Sequence, residues 1–229
     1  VTDREQGTHG ITSFIVAKPT TDLERVGELG IGHAEELPFT AGVRAGTKED
    51  KMGWRASDTR ELVFEDAFVP DDQVLGEVGH GFTNFMQTLE SGRVGIGALS
   101  LGIAEGAFEQ AMAYADARKQ FGQSINDFQG IQFMLADMAT GIEAARHLVY
   151  HAAWLKQNGQ PFTREAAMAK LFASESAMWV TTQAVQVFGG YGYVKEYPVE
   201  KLFRDAKVTE IYEGTSEIQR TVIARELYR

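Results

Sequence analysis

Apolar positions along the chain follow two periods, and the change falls near residue 75. Before it, His9 to Lys18 (HGITSFIVAK) is rich in β-branched and aromatic residues, bounded by Gly10 and Pro19, which predicts a strand. Glu61 to Pro70 (ELVFEDAFVP) sets Leu62 and Phe64 against Glu61, Val63 and Glu65. That alternation predicts a half-buried strand ending at Pro70. Between them, Gly27 to Gly53 is rich in glycine and charge and reads as a long loop or irregular hairpin.

Beyond residue 75 the period becomes helical. Gly81 to Arg118 carries Phe82, Phe85, Leu89, Val94, Leu101, Phe108 and Met112, interrupted by Gly92, Gly95, Gly97, Gly102 and Gly106. A glycine weakens a helix by up to about 1 kcal/mol. A helix that keeps five is expected to have something packed closely against it. Asp127 to Gln157 places Phe128, Ile131, Leu135, Met138, Ile142 and Ala145 at helical spacing, and Asn158-Gly159 stops it. A third helix is predicted from Thr163, as N-cap, through Ala169, Ala173, Ala177 and Ala184 to Gly189-Gly190. Lys201 to Glu210 reads as a loop, and a last helix runs from about Thr215 to Arg229. Four such stripes predict a four-helix bundle.

Composition narrows the classes. The 229 residues are 44% hydrophobic and 24% charged, ordinary for a globular protein. No apolar run approaches the ~20 residues of a membrane helix. There is no cysteine, so a disulfide, a thiolate metal site or a cysteine nucleophile is excluded. A net charge of −10 argues against nucleic acid and anionic membranes as partners. The polar start Val1-Thr2-Asp3-Arg4-Glu5 has no leader character, and Val1 in place of Met is expected either where something has been removed or where the chain is part of a larger one.

Three segments carry candidate chemistry. Glu213 stands between Tyr212 and Gly214, just before a helix. A carboxylate among apolar neighbours can act as a base near neutral pH. From spacing alone, an ordinary first-turn acid favoured by the helix dipole is the stronger reading. Phe188-Gly-Gly-Tyr-Gly-Tyr193 lets a cofactor approach the backbone or simply forms a C-cap and turn. Arg118-Lys-Gln-Phe-Gly122 offers an arginine for a phosphate and Phe121 for a ring, or only complements a helix C-terminus. His147 and His151 share a helix face but lack a third ligand, so no metal is expected.

Together these segments resemble the acyl-CoA dehydrogenase family. Lys51-Met-Gly-Trp-Arg-Ala-Ser-Asp-Thr-Arg60 and Val63-Phe-Glu-Asp-Ala-Phe-Val-Pro70 look like the end of its middle β-domain. Arg118-Lys-Gln-Phe-Gly122, Phe128-Gln-Gly-Ile-Gln-Phe133, Gln186-Val-Phe-Gly-Gly-Tyr-Gly192, Arg204-Asp-Ala-Lys207 and Ile211-Tyr-Glu-Gly-Thr-Ser-Glu-Ile-Gln219 look like its C-terminal helical domain. The order and spacing are specific, and they turn the local readings toward the functional ones.

The resemblance implies a fold of mixed α and β in separate regions. Residues 1–75 would be the C-terminal part of the middle, β-barrel-type domain, and 76–229 an all-α four-helix bundle. The N-terminal helical domain and the flavin-holding loops would be absent. It implies FAD as cofactor and an acyl-CoA as substrate, converted to the trans-2-enoyl-CoA. Glu213 would be the base removing the α-proton, with the hydride passing to flavin N5. Arg118, Phe121, Gln129, Gln186 and Gly190 would reach the FAD of a neighbouring subunit; Thr215 and Glu217 would touch that of their own. Glu90, Arg93 and Gly214 would lie near the substrate. Some relatives place the base just before that arginine, where this chain has Gly92, which leaves Glu213 for the role. Its presence favours a straight-chain, short- to medium-chain substrate. The expected partners are an electron-transferring flavoprotein and further copies in a homotetramer, a dimer of dimers. The expected place is the cytoplasm, or the mitochondrial matrix in a eukaryote. The rivals are an acyl-CoA oxidase-like flavoenzyme and a non-catalytic helical assembly scaffold.

Overall fold

The computed structural model describes residues 3–16 and 40–228 and separates the chain into two units: Val1–Lys51 with Arg55–Gln87, and Met52–Trp54 with Thr88–Arg229. In the first, β1 (Val43–Lys48) pairs antiparallel with β2 (Arg60–Phe64) in the register Val43 to Phe64 and Ala45 to Leu62, with an irregularity before Lys48. Asp66, at a φ of 50°, then turns the chain out of the strand. Residues 11–16 run extended and bridge Phe14 to Val74. Ile15 N–H donates to Gln73 O at 2.8 Å, and Leu75 N–H to Ser13 O at 2.9 Å. Ser13 is buried, and its hydroxyl accepts from Asn84 Nδ2 at 2.9 Å.

Three sequence expectations change here. Leu62 and Phe64, assigned to a buried face, are more than half exposed, because among the described residues no second layer covers that side of the ladder. For the same reason the barrel is not seen: the described strands form two two-stranded ladders and no closed barrel. The strand expected over His9–Lys18 is not formed among the described residues: Gly7–Gly10 is a 3-10 turn, and the stretch after it pairs only through the single Phe14–Val74 bridge, while residues 17–18 lie outside the described residues. Of the stretch Gly27–Gly53, read as a long loop or irregular hairpin, residues 27–39 lie outside the described residues and the remainder contains the strand β1, so that part is a hairpin arm rather than a loop.

The rest is helical. The helices are α1 (Gly81–Ala117), α2 (Gln129–Gln157), α3 (Thr163–Phe188), α4 (Val199–Lys207) and α5 (Ser216–Leu227). A tight hairpin, β3 (Lys119–Gln120) with β4 (Gln123–Ser124), joins α1 to α2. Helix α3 is central and packs against α2, α4 and α5. Its buried positions, Ala166, Ala169, Ala173, Ala177, Val180 and Ala184, recur at helical spacing, as the small-residue stripe predicted. Small side chains let helix backbones approach: a Cβ on Gly97 of α1 would lie 3.2 Å from Val149 Cγ2 and 3.5 Å from the Ala169 backbone. Gly95, Gly102 and Gly106 face open space, so close packing explains only some of the helix's glycines.

Two helix boundaries differ from expectation. Thr163 is the first helical residue rather than the cap, and its hydroxyl pairs with Glu90 of α1 instead of with its own helix. Lys201–Glu210, read as a loop, is mostly α4 followed by a 3-10 turn at Val208–Glu210. Arg204 Nε to Glu200 at 2.7 Å and the Lys201–Asp205 pair, each spaced i,i+4, support this short helix. Among the described residues no helix is long and apolar enough to cross a membrane.

Candidate active site

The chain between α4 and α5 is bent by backbone conformation rather than by a regular element. After the 3-10 turn, Glu213 and Gly214 both take left-handed φ, 55° and 90°. Left-handed backbone is ordinary for glycine and costs a non-glycine residue about 1–2 kcal/mol. Thr215 then returns to extended geometry (φ −62°, ψ 167°) and stands as N-cap of α5, without a side-chain capping bond. A corner of this kind persists only where its surroundings over-determine it.

Those surroundings come from three helices. Gln219, fully buried on α5, turns back and donates from Nε2 to Gly214 O at 2.8 Å and to Glu213 O at 3.2 Å. Lys170, fully buried on α3, donates from Nζ to the same Gly214 O at 2.8 Å. From α1, Gly92 makes room for the carboxylate: a Cβ there would stand 2.5 Å from Glu213 Oε2. Positions 92 and 213 therefore supply one carboxylate-sized space between them.

Polar atoms without partners gather around this corner. Six buried side-chain polar atoms among the described residues lack a hydrogen bond, and five are Arg93 Nε, Tyr212 OH, Glu213 Oε2, Ser216 Oγ and Gln219 Oε1. Buried polar groups are almost always satisfied, so a cluster of five makes this corner a candidate place for a polar ligand. Burial holds the Arg93 guanidinium below its ordinary range against the attraction of Glu90 and Glu213, with Arg225 adding to the lowering. Burial also pushes the Tyr212 phenol up, and the Glu213 charge adds to it. A hydrogen bond from Thr215, then one from its own backbone, keeps the Glu217 carboxyl below its usual range.

Two distant motifs meet beside the same corner. Asp205 of α4 accepts from Trp54 N–H at Oδ1, at 2.6 Å, and Trp54 Nε1 donates to Asp205 O at 3.0 Å. Gly53 lies so close to α4 that a Cβ would be 2.5 Å from Arg204 O. The Trp54 ring then meets Tyr212 edge-on, with centroids 6.3 Å apart.

The other expected residues lie at the far end of α3. Arg118 and Gly190 line one open cleft of about 560 Å³ with Tyr114, Phe188, Gly189 and Tyr191. Gly189, at φ 60°, ends α3, and Tyr191 lies under the Arg118 guanidinium at 5.4 Å. Phe121, almost fully exposed, Gln129, the first residue of α2, and Gln186, in the last turn of α3, all face solvent and do not line it. Glu213, Gly214, Thr215 and Glu217 share the α4–α5 corner, and Glu90 and Arg93 lie on α1. His147 and His151 are solvent-side residues of α2, one beside Glu143 and one stacked on Trp154. No three possible metal ligands gather among the described residues. Sequence reasoning missed Lys170, Gln219 and Trp54 as parts of the corner. For Lys170 a signal was present: a lysine in register with a stripe of alanines that must be buried.

The family model described as "Acyl-CoA dehydrogenase, C-terminal domain" matches residues 79–228. A Clostridium acetobutylicum protein named "Acyl-CoA dehydrogenase, short-chain specific" is 52% identical over 229 residues, covering 100% of this chain and 55% of its own length. The solved butyryl-CoA dehydrogenase of Megasphaera elsdenii superposes with a TM-score of 0.89 at 51% identity, over 100% of this chain and 54% of that one. A chain in a solved structure concerning the electron transferring flavoprotein of Acidaminococcus fermentans gives a TM-score of 0.89 at 52% identity, over 99% of this chain and 55% of that one. The chain thus spans about half the length of the relatives it matches.

Proposed function

Because the chain belongs to the acyl-CoA dehydrogenase family, we propose that it supplies the base, and part of the cofactor and thioester sites, for the α,β-dehydrogenation of a short-chain acyl-CoA. The observation that carries the reading is the Glu213 carboxylate. It sits in a left-handed corner over Gly92, with Oε2 buried and without a partner. In this reading residues 1–75 are the C-terminal part of a middle β-domain and 76–229 the C-terminal bundle domain. The short-chain preference rests on the names of the Clostridium and Megasphaera relatives.

The residues present suit FAD. Ser216 Oγ and Gln219 Oε1 offer unused hydrogen-bonding capacity at the start of α5, where the helix dipole favours negative charge. The open cleft at the end of α3 sets a guanidinium beside aromatic rings and an exposed glycine backbone, a set that suits a pyrophosphate and an adenine. FAD, when bound, supplies the acceptor for the hydride that leaves the β-carbon.

The chain's own groups do the rest. Glu213 takes the α-proton on Oε2, whose lack of a competing donor leaves its lone pairs available. The Glu213 backbone N–H, turned by the left-handed corner, donates to the thioester oxygen as enolate character develops there. Arg93 holds positive charge beneath the corner for the polyanionic CoA arm, and Glu90 is turned aside by Thr163. Tyr212 and Trp54 bound the corner with ring surface, which limits water around the base. We further propose that the exposed aromatic residues Phe133, Trp154 and Trp179 meet further copies in a homotetramer, and that an electron-transferring flavoprotein accepts the electrons.

The test is Glu213→Gln in the full-length holoenzyme. The variant is expected to bind FAD and butyryl-CoA and to bleach the flavin several orders of magnitude more slowly, about the cost of removing an essential base. Bleaching at near the parent rate would remove Glu213 from the role. Rapid peroxide formation by the reduced parent enzyme, with no protein acceptor present, would replace the dehydrogenase with an oxidase.

A further inference from the structure

We propose that Lys170 is a positioning residue for Glu213: from the buried face of α3 it clamps the Gly214 carbonyl and so fixes the corner that aims the Glu213 carboxylate over Gly92. The inference rests on Glu213 being the base.

Four observations carry it. Lys170 is fully buried on α3 among the buried positions Ala166, Ala167, Ala173 and Ser174. A buried ammonium is costly unless it is paired, and among the described residues no carboxylate forms an ion pair with it. Its hydrogen bond runs instead to a backbone oxygen, that of Gly214, at 2.8 Å. Gln219 donates to that oxygen and to the carbonyl of Glu213, so two side chains from two helices pin both peptide planes that follow the Glu213 Cα. Finally, Glu213 is one of only four non-glycine residues with left-handed φ among the described residues. Its conformation needs outside support, and the Lys170 clamp supplies it at the next carbonyl.

The direction of the Lys170 pKa tells what its removal does to the fold. Burial lowers it despite the attraction of Glu210, Glu175 and Glu213, with Arg93 adding to the lowering. A cation whose folded-state pKa is depressed gives stability that is present above its unfolded pKa and lost as pH falls through the folded one. At neutral pH, wherever the folded value lies above it, the cost of the buried charge stands in full. Replacing Lys170 by the similarly shaped, neutral Met is therefore compatible with an unchanged or higher melting temperature, while the Gly214 carbonyl loses a donor.

The experiment compares the parent, Lys170→Met, Lys170→Gln and Glu213→Gln as full-length holoenzymes with butyryl-CoA and its α-deuterated form. Lys170→Met is expected to keep FAD content, melting temperature and KM, and to lose kcat by about 10- to 100-fold, the effect of a base displaced by about an ångström. Its α-deuterium isotope effect on kcat should rise, because proton abstraction has become the slow step. Lys170→Gln, which keeps an N–H donor on a shorter stem, should recover part of the loss. A Lys170→Met enzyme with kcat within twofold of the parent overturns the inference. So does a kcat loss that merely tracks lost FAD or lost melting temperature. Failure of both Lys170 variants to fold makes Lys170 a folding element and overturns it as well. Each of these leaves Glu213 as the base, provided Glu213→Gln is inactive. An active Glu213→Gln defeats the parent reading instead.

Discussion

At the residue scale, the site turns on one missing side chain. Gly92 has no Cβ, and the Glu213 carboxylate occupies the space one would fill. Gly92→Ala puts a good helix former in place of a poor one in α1 and is expected to stabilise the helix by up to about 1 kcal/mol. The same methyl would meet Glu213 Oε2 at 2.5 Å and Cδ at 2.9 Å, so the carboxylate must swing away. The expected result is a stable enzyme with kcat reduced by 10-fold or more, read from melting temperature and flavin bleaching together. Parent-like turnover would mean that the carboxylate works from a different position. The same contact explains what a sequence reading can and cannot see. The Glu213-Gly214 pair and the Gly92-Arg93 pair are legible as residues. That 92 and 213 share one space is a fact of tertiary approach, with no periodic trace in the chain.

At the scale of elements, the helices were legible where a stripe was long and the stops were strong. Asn158-Gly159 and Gly189 end α2 and α3 where predicted. Helix α4 was not legible, because nine residues show barely two turns of pattern, and its support comes from charge pairs and from packing on α3. The strand face of Leu62 and Phe64 followed the period of two, but period says only which residues share a face, not whether anything covers it. The lining of α3 has its own consequence. Where alanine and glycine set the distance between helices, adding volume is the damaging change. Gly97→Val, which crowds Val149 and the Ala169 backbone, is expected to destabilise the protein by about 1–3 kcal/mol by chemical denaturation. Gly102→Ala on the same helix, facing open space, should be neutral or slightly stabilising. Equal effects of the two would show that α1 does not pack closely at Gly97.

At the scale of the molecule, charge and chemistry part company. A net charge of −10 belongs to the surface as a whole, while the two arginines proposed to meet an anionic ligand, Arg93 and Arg118, are local. The unsatisfied polar atoms at the Glu213 corner and the open cleft at the end of α3 both ask for partners outside the chain. The resemblance had named residues at both places. The structure shows what each place offers: unused hydrogen-bonding capacity at one, and an arginine beside aromatic rings with free access at the other. What sequence did not show was the support of those places, since Lys170 and Trp54 act through contacts that only the folded chain makes.

The Trp54–Asp205 clasp joins residues 151 positions apart. Such a contact closes a very large loop, so its entropic cost falls due only after the neighbouring α2 and α3 have paired. The clasp should therefore be a late event in folding and an early one in unfolding. Asp205→Ala is expected to speed unfolding in denaturant while leaving the refolding rate nearly unchanged, and a slower refolding arm would place the clasp in the nucleus instead. Since the clasp seats Trp54 against Tyr212, the residue before the proposed base Glu213, the order of events bears on the site. The helices can assemble first, and Glu213 acquires its aromatic wall only when the last long-range contact closes.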